Sequence, residues 1–129
     1  MRYLLTTCCA AKRPDPGPIP AGHRYLSPRI ERAKEEAAAR GLPLLILSGV
    51  YGVLRVDDGV PWYDHALEPS EVRALIPRVV TRLRELEATH LVLLLRARAT
   101  PGWAPYLDVL DAAVAELGLT VERVFVDVE

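Results

Sequence analysis

Apolar residues fall along this chain in four short runs, and segments with helical spacing fill the intervals between them. Arg2 to Cys8 predicts a first strand. Pro43 to Leu47 predicts a second, a continuous apolar run of the kind expected when both faces of a strand are covered. His90 to Leu95 predicts a third of the same kind. Thr120 to Val128 predicts a fourth. There Glu122, Arg123 and Asp127 are interleaved among valines, which suits the edge of a sheet.

Three helices separate these strands. Ser27 is a good N-cap, Pro28 fits the first helical position and Gly41 fits the stop, with the alanine- and charge-rich stretch Glu31 to Arg40 between them. Ser70 is placed to cap a second helix with the apolar stripe Val72, Leu75, Ile76, Val79, Val80, Leu83 and Leu86. Pro77 lies inside that stripe and predicts a kink or a break. A third helix starts near Pro105, carries Leu107, Leu110, Val114 and Leu117, and ends at Gly118.

Strand-helix alternation of this kind argues for a parallel sheet with right-handed crossovers. The expected fold is one α/β domain over residues 1–129, a three-layer Rossmann-like sandwich. Its sheet is four-stranded and mainly parallel, in the order 2-1-3-4. In that order the loops 9–26, 48–69 and 96–104 share one rim. Ligands of open α/β sheets bind beyond the C-terminal ends of the strands. Two of these loops are long, which in a small domain points to function or disorder. The proline-rich stretch from Arg13 to Gly22 lies inside a loop and divides no domains.

Composition narrows the classes. A chain of 129 residues is one domain by size and needs no disulfide or metal to fold. The net charge of -1 gives no global attraction to nucleic acid, so any basic surface must be local. No apolar run approaches the ~20 residues a membrane helix needs. Tyr3-Leu4-Leu5 is too short for a signal-peptide core. The expectation is a cytoplasmic protein away from membranes. Cys8 and Cys9 are adjacent and so make no stabilising disulfide, while His23, His65 and His90 are scattered without metal-ligand spacing. No metal and no cofactor is therefore expected. Lys12 and Lys34 are the only lysines and proline is abundant, which fits a GC-rich or heat-adapted source.

The candidate chemistry gathers in the rim loops. Cys8 and Cys9 follow the first strand with Lys12 nearby. A neighbouring cation favours the thiolate, whereas a small buried side chain at a strand end would be inert. Lys12 reads either as an anion contact or as a solvated loop lysine. Ser48 and Tyr51 sit among Gly49 and Gly52, which permit close ligand approach or merely turn the chain. The stretch matches neither the Walker nor the dinucleotide fingerprint. Asp57, Asp58, Tyr63 and Asp64 follow. Carboxylates beside hydroxyls suit general acid-base work, but Asp57-Asp58-Gly59 is also a good turn. Asp58 fits the turn better, and Asp64, after Pro61 and Trp62, is the foremost candidate acid. His65 is a proton carrier or a plain surface histidine. Arg96 and Arg98 end the third strand, and with Arg13, Arg24 and Arg55 they would make the rim locally basic.

Taken together, these residues resemble a small family of bacterial, archaeal and phage domains. Its pattern is Cys-x-x-x-Lys, then Leu-Tyr before a helix, then Leu-Ser-Ala-x-Tyr-Gly-Leu followed by Pro-Asp and Tyr-Asp. The matching blocks are Cys8-Cys9-Ala10-Ala11-Lys12, Arg24-Tyr25-Leu26-Ser27-Pro28, and Leu47 to Leu54 with Asp57 and Tyr63-Asp64. They span about the first half of the chain. Gly49 replaces the usual alanine, and Val56 stands where proline is common. The resemblance extends distantly to the YaaA peroxide-stress proteins and to a domain of archaeal tRNA-modifying enzymes of the archaeosine pathway. It implies a Rossmann-like domain whose pocket is built from these blocks, with a nucleic-acid or nucleobase connection.

Three functions follow as expectations. In the first, the protein binds a nucleotide, nucleoside or nucleobase and acts on a glycosidic bond. Asp64 and Asp57 then serve as acid and base, Tyr25, Ser48, Tyr51, Gly52 and Tyr63 shape the pocket, and Lys12 and Arg96 hold phosphate or sugar oxygens. In the second, it is a non-catalytic nucleotide or nucleic-acid binding module. In the third, it is a thiol-based stress protein using Cys8. Turnover and homo-oligomerisation stay open.

Overall fold

A computed structural model describes residues 1–129. The elements in chain order are β1 (Arg2–Thr7), β2 (Ile19–Pro20), α1 (Ala21–Arg24), α2 (Pro28–Arg40), β3 (Leu44–Ser48), β4 (Gly52–Arg55) and β5 (Gly59–Val60). A 3-10 turn (Pro69–Glu71) then leads into α3 (Val72–Glu85), β6 (His90–Leu95), α4 (Ala104–Leu117) and β7 (Thr120–Phe125).

The main sheet has five strands in the order β4-β3-β1-β6-β7. β1 lies at its centre and is buried from Tyr3 to Thr7. It pairs in parallel with β3 (Leu4 opposite Leu44) and with β6 (Leu4 opposite Val92), and β6 pairs in parallel with β7. Side chains of a strand alternate between faces, so each strand feeds two cores. Tyr3, Leu5, Leu45, Leu47, Leu91, Leu93 and Leu95 pack under α3 and α4. Leu4, Leu44, Ile46 and Leu94 pack with Ile30, Ala33 and Ala37 of α2 and with Tyr25. Three layers result.

The sheet departs from the expected layout in that its order runs over five strands, not four: one strand is added outside the expected neighbours β3-β1-β6-β7. β4 is a fifth strand, at the edge beyond β3 and antiparallel to it, with Ser48 opposite Gly52 and Leu45 opposite Arg55. It arises because the strand-to-glycine stretch does not run on as a loop. Gly49, Val50 and Tyr51 turn the chain back on itself, and Gly52 takes φ +74° at the turn exit. Ser48 Oγ accepts from the N–H groups of Val50 (3.1 Å) and Tyr51 (3.0 Å), which satisfies the turn's backbone donors. β2 and β5 form a separate two-stranded antiparallel pair.

Helix ends follow the sequence with two corrections. Ser27 accepts from Ile30 N at 3.1 Å, and Gly41 and Gly118 take left-handed conformations at φ 65° and 63°. Ser70, however, lies inside the 3-10 turn, and the cap is a reciprocal box between Glu68 and Glu71. Pro77 does not break α3. Both Pro77 and Arg73, whose carbonyl loses its partner, are exposed, so that oxygen faces water. β7 is an edge strand as expected. Its charges are tied inward, Glu122 to Arg40 at 2.7 Å and Arg123 to Asp111 at 2.9 Å. No helix is long and apolar enough to cross a membrane.

Candidate functional site

The C-terminal ends of β1, β3 and β6 open on one side of the molecule, and a cavity lies there. The cavity measures about 530 Å³ and is lined from four directions. Cys8, Cys9 and Lys12 come from beyond β1, Ser27 and Arg29 from the start of α2, Asp64 and His65 from the segment before α3, and Arg96, Trp103 and Tyr106 from beyond β6.

Lys12 is held in place by backbone pairing. It bridges antiparallel to Tyr25, flanked by Arg13 N to Arg24 O at 2.8 Å and Leu26 N to Ala11 O at 2.9 Å. Its ammonium makes one long hydrogen bond, to Ala10 O at 3.4 Å, and lies 4.6 Å from the centre of the Tyr63 ring. Such a cation is steadied by the ring quadrupole and remains able to receive an anion.

Behind Lys12 runs a chain of hydroxyls. Tyr63 OH lies 2.8 Å from Ser48 Oγ and 2.6 Å from Tyr25 OH. Ser48 already accepts two N–H groups, so both of its lone pairs are used. Its proton therefore goes to Tyr63, and Tyr63 donates to Tyr25. Burial pushes the Tyr25 phenol up to about 12 and pushes Tyr63 upward as well. Both phenols are neutral at ordinary pH. Tyr25 and Ser48 are fully buried, so this chain is scaffolding beneath the cavity and not part of its lining. Tyr51 packs edge-on against Tyr63 at 5.3 Å, and Gly52 starts β4. Both shape the support rather than the wall.

Cys8 is half-buried, with Sγ 3.7 Å from Tyr106 OH. Tyr106 OH accepts from Leu67 N at 3.0 Å and so ties α4 to the segment before α3. Gly49 leaves room beneath this contact. A Cβ there would come within 3.0 Å of Leu67 Cβ and 3.2 Å of the Tyr106 hydroxyl. Alanine at position 49 would therefore press on the tyrosine that adjoins Cys8. Cys9 points elsewhere, its Sγ 3.1 Å from Ala11 O, and burial raises its thiol pKa, which disfavours the thiolate.

Several sequence candidates are not brought to the cavity. β4 runs back down the sheet, so the turn after it lies at the opposite end from the rim. Asp57 borders a separate groove there, with His23, Lys34, Leu44 and Val56. It cannot pair with Asp64, which lines the rim cavity and is exposed. Asp58 is a turn residue, accepting from Arg55 N at 2.8 Å. The expected cluster of rim arginines also dissolves. Arg55 is at the far end, Arg13 pairs with Asp15 at 2.8 Å, and Arg98 pairs with Asp108 and Asp111. Arg24 is fully buried, where it binds backbone carbonyls. His65 pairs with Glu71 at 2.7 Å.

Arg29 is the residue sequence reasoning missed. It is 2% exposed, its guanidinium donates to Thr6 Oγ1, Thr7 O and Cys8 O, and it stacks 4.8 Å from the Trp103 ring. One signal was present: a cation in the first turn of a helix opposes the helix dipole, so it needs a reason from elsewhere in the fold. No group of histidine, cysteine and acidic side chains is arranged to hold a metal ion. Compared with family models, with curated proteins and with solved structures, the chain matches none.

Proposed function

We propose that the protein binds a nucleotide, nucleoside or nucleobase in the cavity beyond β1, β3 and β6. The observation that carries this is the lining: Lys12, Arg29 and Arg96 share one cavity with the flat side chains of Trp103 and Tyr106. Cations suit phosphate or sugar oxygens and aromatic faces suit a base. At about 530 Å³ the cavity lies within the ~300–1,000 Å³ range of small-molecule sites. The resemblance of the Cys8–Lys12, Arg24–Pro28 and Leu47–Leu54 blocks to nucleobase-connected families weighs in the same direction.

A small ligand is favoured over a nucleic-acid strand. Arg13, Arg40, Arg82, Arg98 and Arg123 are each engaged with an acid, and the net charge of -1 gives no global attraction to a strand. Binding is favoured over glycosidic cleavage by a pair of aspartates, because that chemistry uses two carboxylates flanking the bond. Asp57 and Asp64 lie at opposite ends of the sheet. If bond cleavage occurs, Asp64 acts without Asp57.

Thermal unfolding against a panel of bases, nucleosides and nucleotides tests the proposal. A ligand at ~100 times its Kd adds about 2.7 kcal/mol and raises the midpoint by several degrees. The expected result is a rise with at least one compound that disappears in Lys12→Ala. A panel without any rise would reject the nucleotide proposal and favour the second reading, a reactive Cys8 beside Tyr106 in the same cavity.

A further inference from the structure

The cavity carries more positive charge than the fold neutralises. Arg29 spends three of its five N–H donors on Thr6 Oγ1 (2.7 Å), Thr7 O (2.7 Å) and Cys8 O (3.0 Å), and no carboxylate reaches it. Its Nε is buried without a partner. Burial pushes its guanidinium downward from the usual range, and Arg96 nearby adds to that push. Arg96 Nε is also buried without a partner. The one acid Arg96 meets is Asp127, at 3.7 Å, and that aspartate is fully exposed. An ion pair of that length and exposure is worth little in water. Lys12 completes the set with an ammonium that meets no acid. Asp64 shares the cavity but is exposed and forms no ion pair with any of the three.

Three cations, one of them 98% buried, share the cavity with Asp64 and Glu129 without an ion pair to either, a costly arrangement unless an anion arrives. The same corner holds the positive end of α2. Its first available donor, Arg29 N, goes to Glu129 O at 2.8 Å, and Glu129 lines the cavity. The planar guanidinium fork matches phosphate bidentately, and three positive charges suit a dianion better than a single carboxylate.

We infer that Arg29, Arg96 and Lys12 form the subsite for a phosphate group of the ligand. The inference rests on the proposed nucleotide-like ligand and adds that the ligand is phosphorylated. Loss of Arg96 weakens phosphate binding more than it weakens binding of the unphosphorylated ligand. A merely structural arginine would weaken both alike.

Calorimetric titration of the intact chain with inorganic pyrophosphate, with nucleosides and with the matching nucleoside monophosphates tests this. The expected result is a monophosphate bound roughly tenfold or more tighter than its nucleoside, the difference one charge-assisted contact supplies. Arg96→Gln should erase most of that difference, lowering monophosphate affinity far more than nucleoside affinity. Equal affinity for a nucleoside and its monophosphate, unchanged in Arg96→Gln, would overturn the phosphate subsite and leave the nucleoside reading intact. Pyrophosphate binding that Arg96→Gln abolishes, without tighter binding of any nucleotide, would uphold the subsite and reject the nucleotide. Binding of none of the three probes would overturn both.

Discussion

Arg24 has no solvent exposure and no acidic partner. Its Nε donates to Val60 O at 3.1 Å, its Nη1 to Arg13 O and to Asp15 O at 3.0 Å, and its Nη2 to Gly17 O at 2.7 Å. One side chain thus satisfies the carbonyls of the proline-rich loop, which has few partners of its own, and fastens that loop to β5. Arg24→Met keeps the bulk and removes the donors. It should cost roughly 3 kcal/mol in a urea unfolding curve, because several buried carbonyls lose a charged partner. A loss below about 0.5 kcal/mol, the ordinary value for a surface residue, would mean that the loop does not depend on Arg24. Read from sequence, Arg24 is indistinguishable from a surface arginine, since this residue type is rarely buried and local pattern does not reveal a tertiary carbonyl cage. Lys12 and Arg96 were legible because each follows an unmistakable strand, Arg96 at once and Lys12 five residues on.

At the scale of elements, the long apolar runs were easy to read and the short hairpin was not. β1, β3 and β6 each present five or six apolar or small residues in succession, and α2 and α4 carry their own stop glycines. β4 is four residues long and begins with glycine, so no period can establish itself, and its identity depends on pairing with β3. That single missed reversal displaced Asp57 from the rim to the other end of the sheet. The hairpin makes a specific demand at Gly52, which holds φ +74° with nothing within 4 Å of where a Cβ would sit. Gly52→Ala should therefore cost about 1–2 kcal/mol, the penalty of the left-handed conformation alone, with no steric addition. Urea unfolding checks it, and an unchanged midpoint would show that the turn relaxes to another conformation.

For the molecule as a whole, topology decides where chemistry can gather. Three parallel strands end together, and the segments that leave them bring Lys12, Arg29, Asp64, Arg96 and Trp103 to one cavity, although these residues span most of the chain. The support beneath is a buried hydroxyl chain from Ser48 through Tyr63 to Tyr25, which fixes the ring on which Lys12 rests. The far end of the sheet holds a more apolar groove around Ala37, Leu42, Leu44 and Val56, with Asp57 at its border. The two ends offer different chemistry, so the position of a bound ligand is the sharpest question. Amide NMR shift mapping during titration with a nucleoside monophosphate answers it most directly. The largest shifts should fall on Cys8 to Lys12, on Arg29, on Asp64 to Ala66 and on Arg96 to Trp103. Shifts confined to Val56 to Asp58 and the groove beside α2, or none at saturating ligand, would contradict a ligand site at the strand ends.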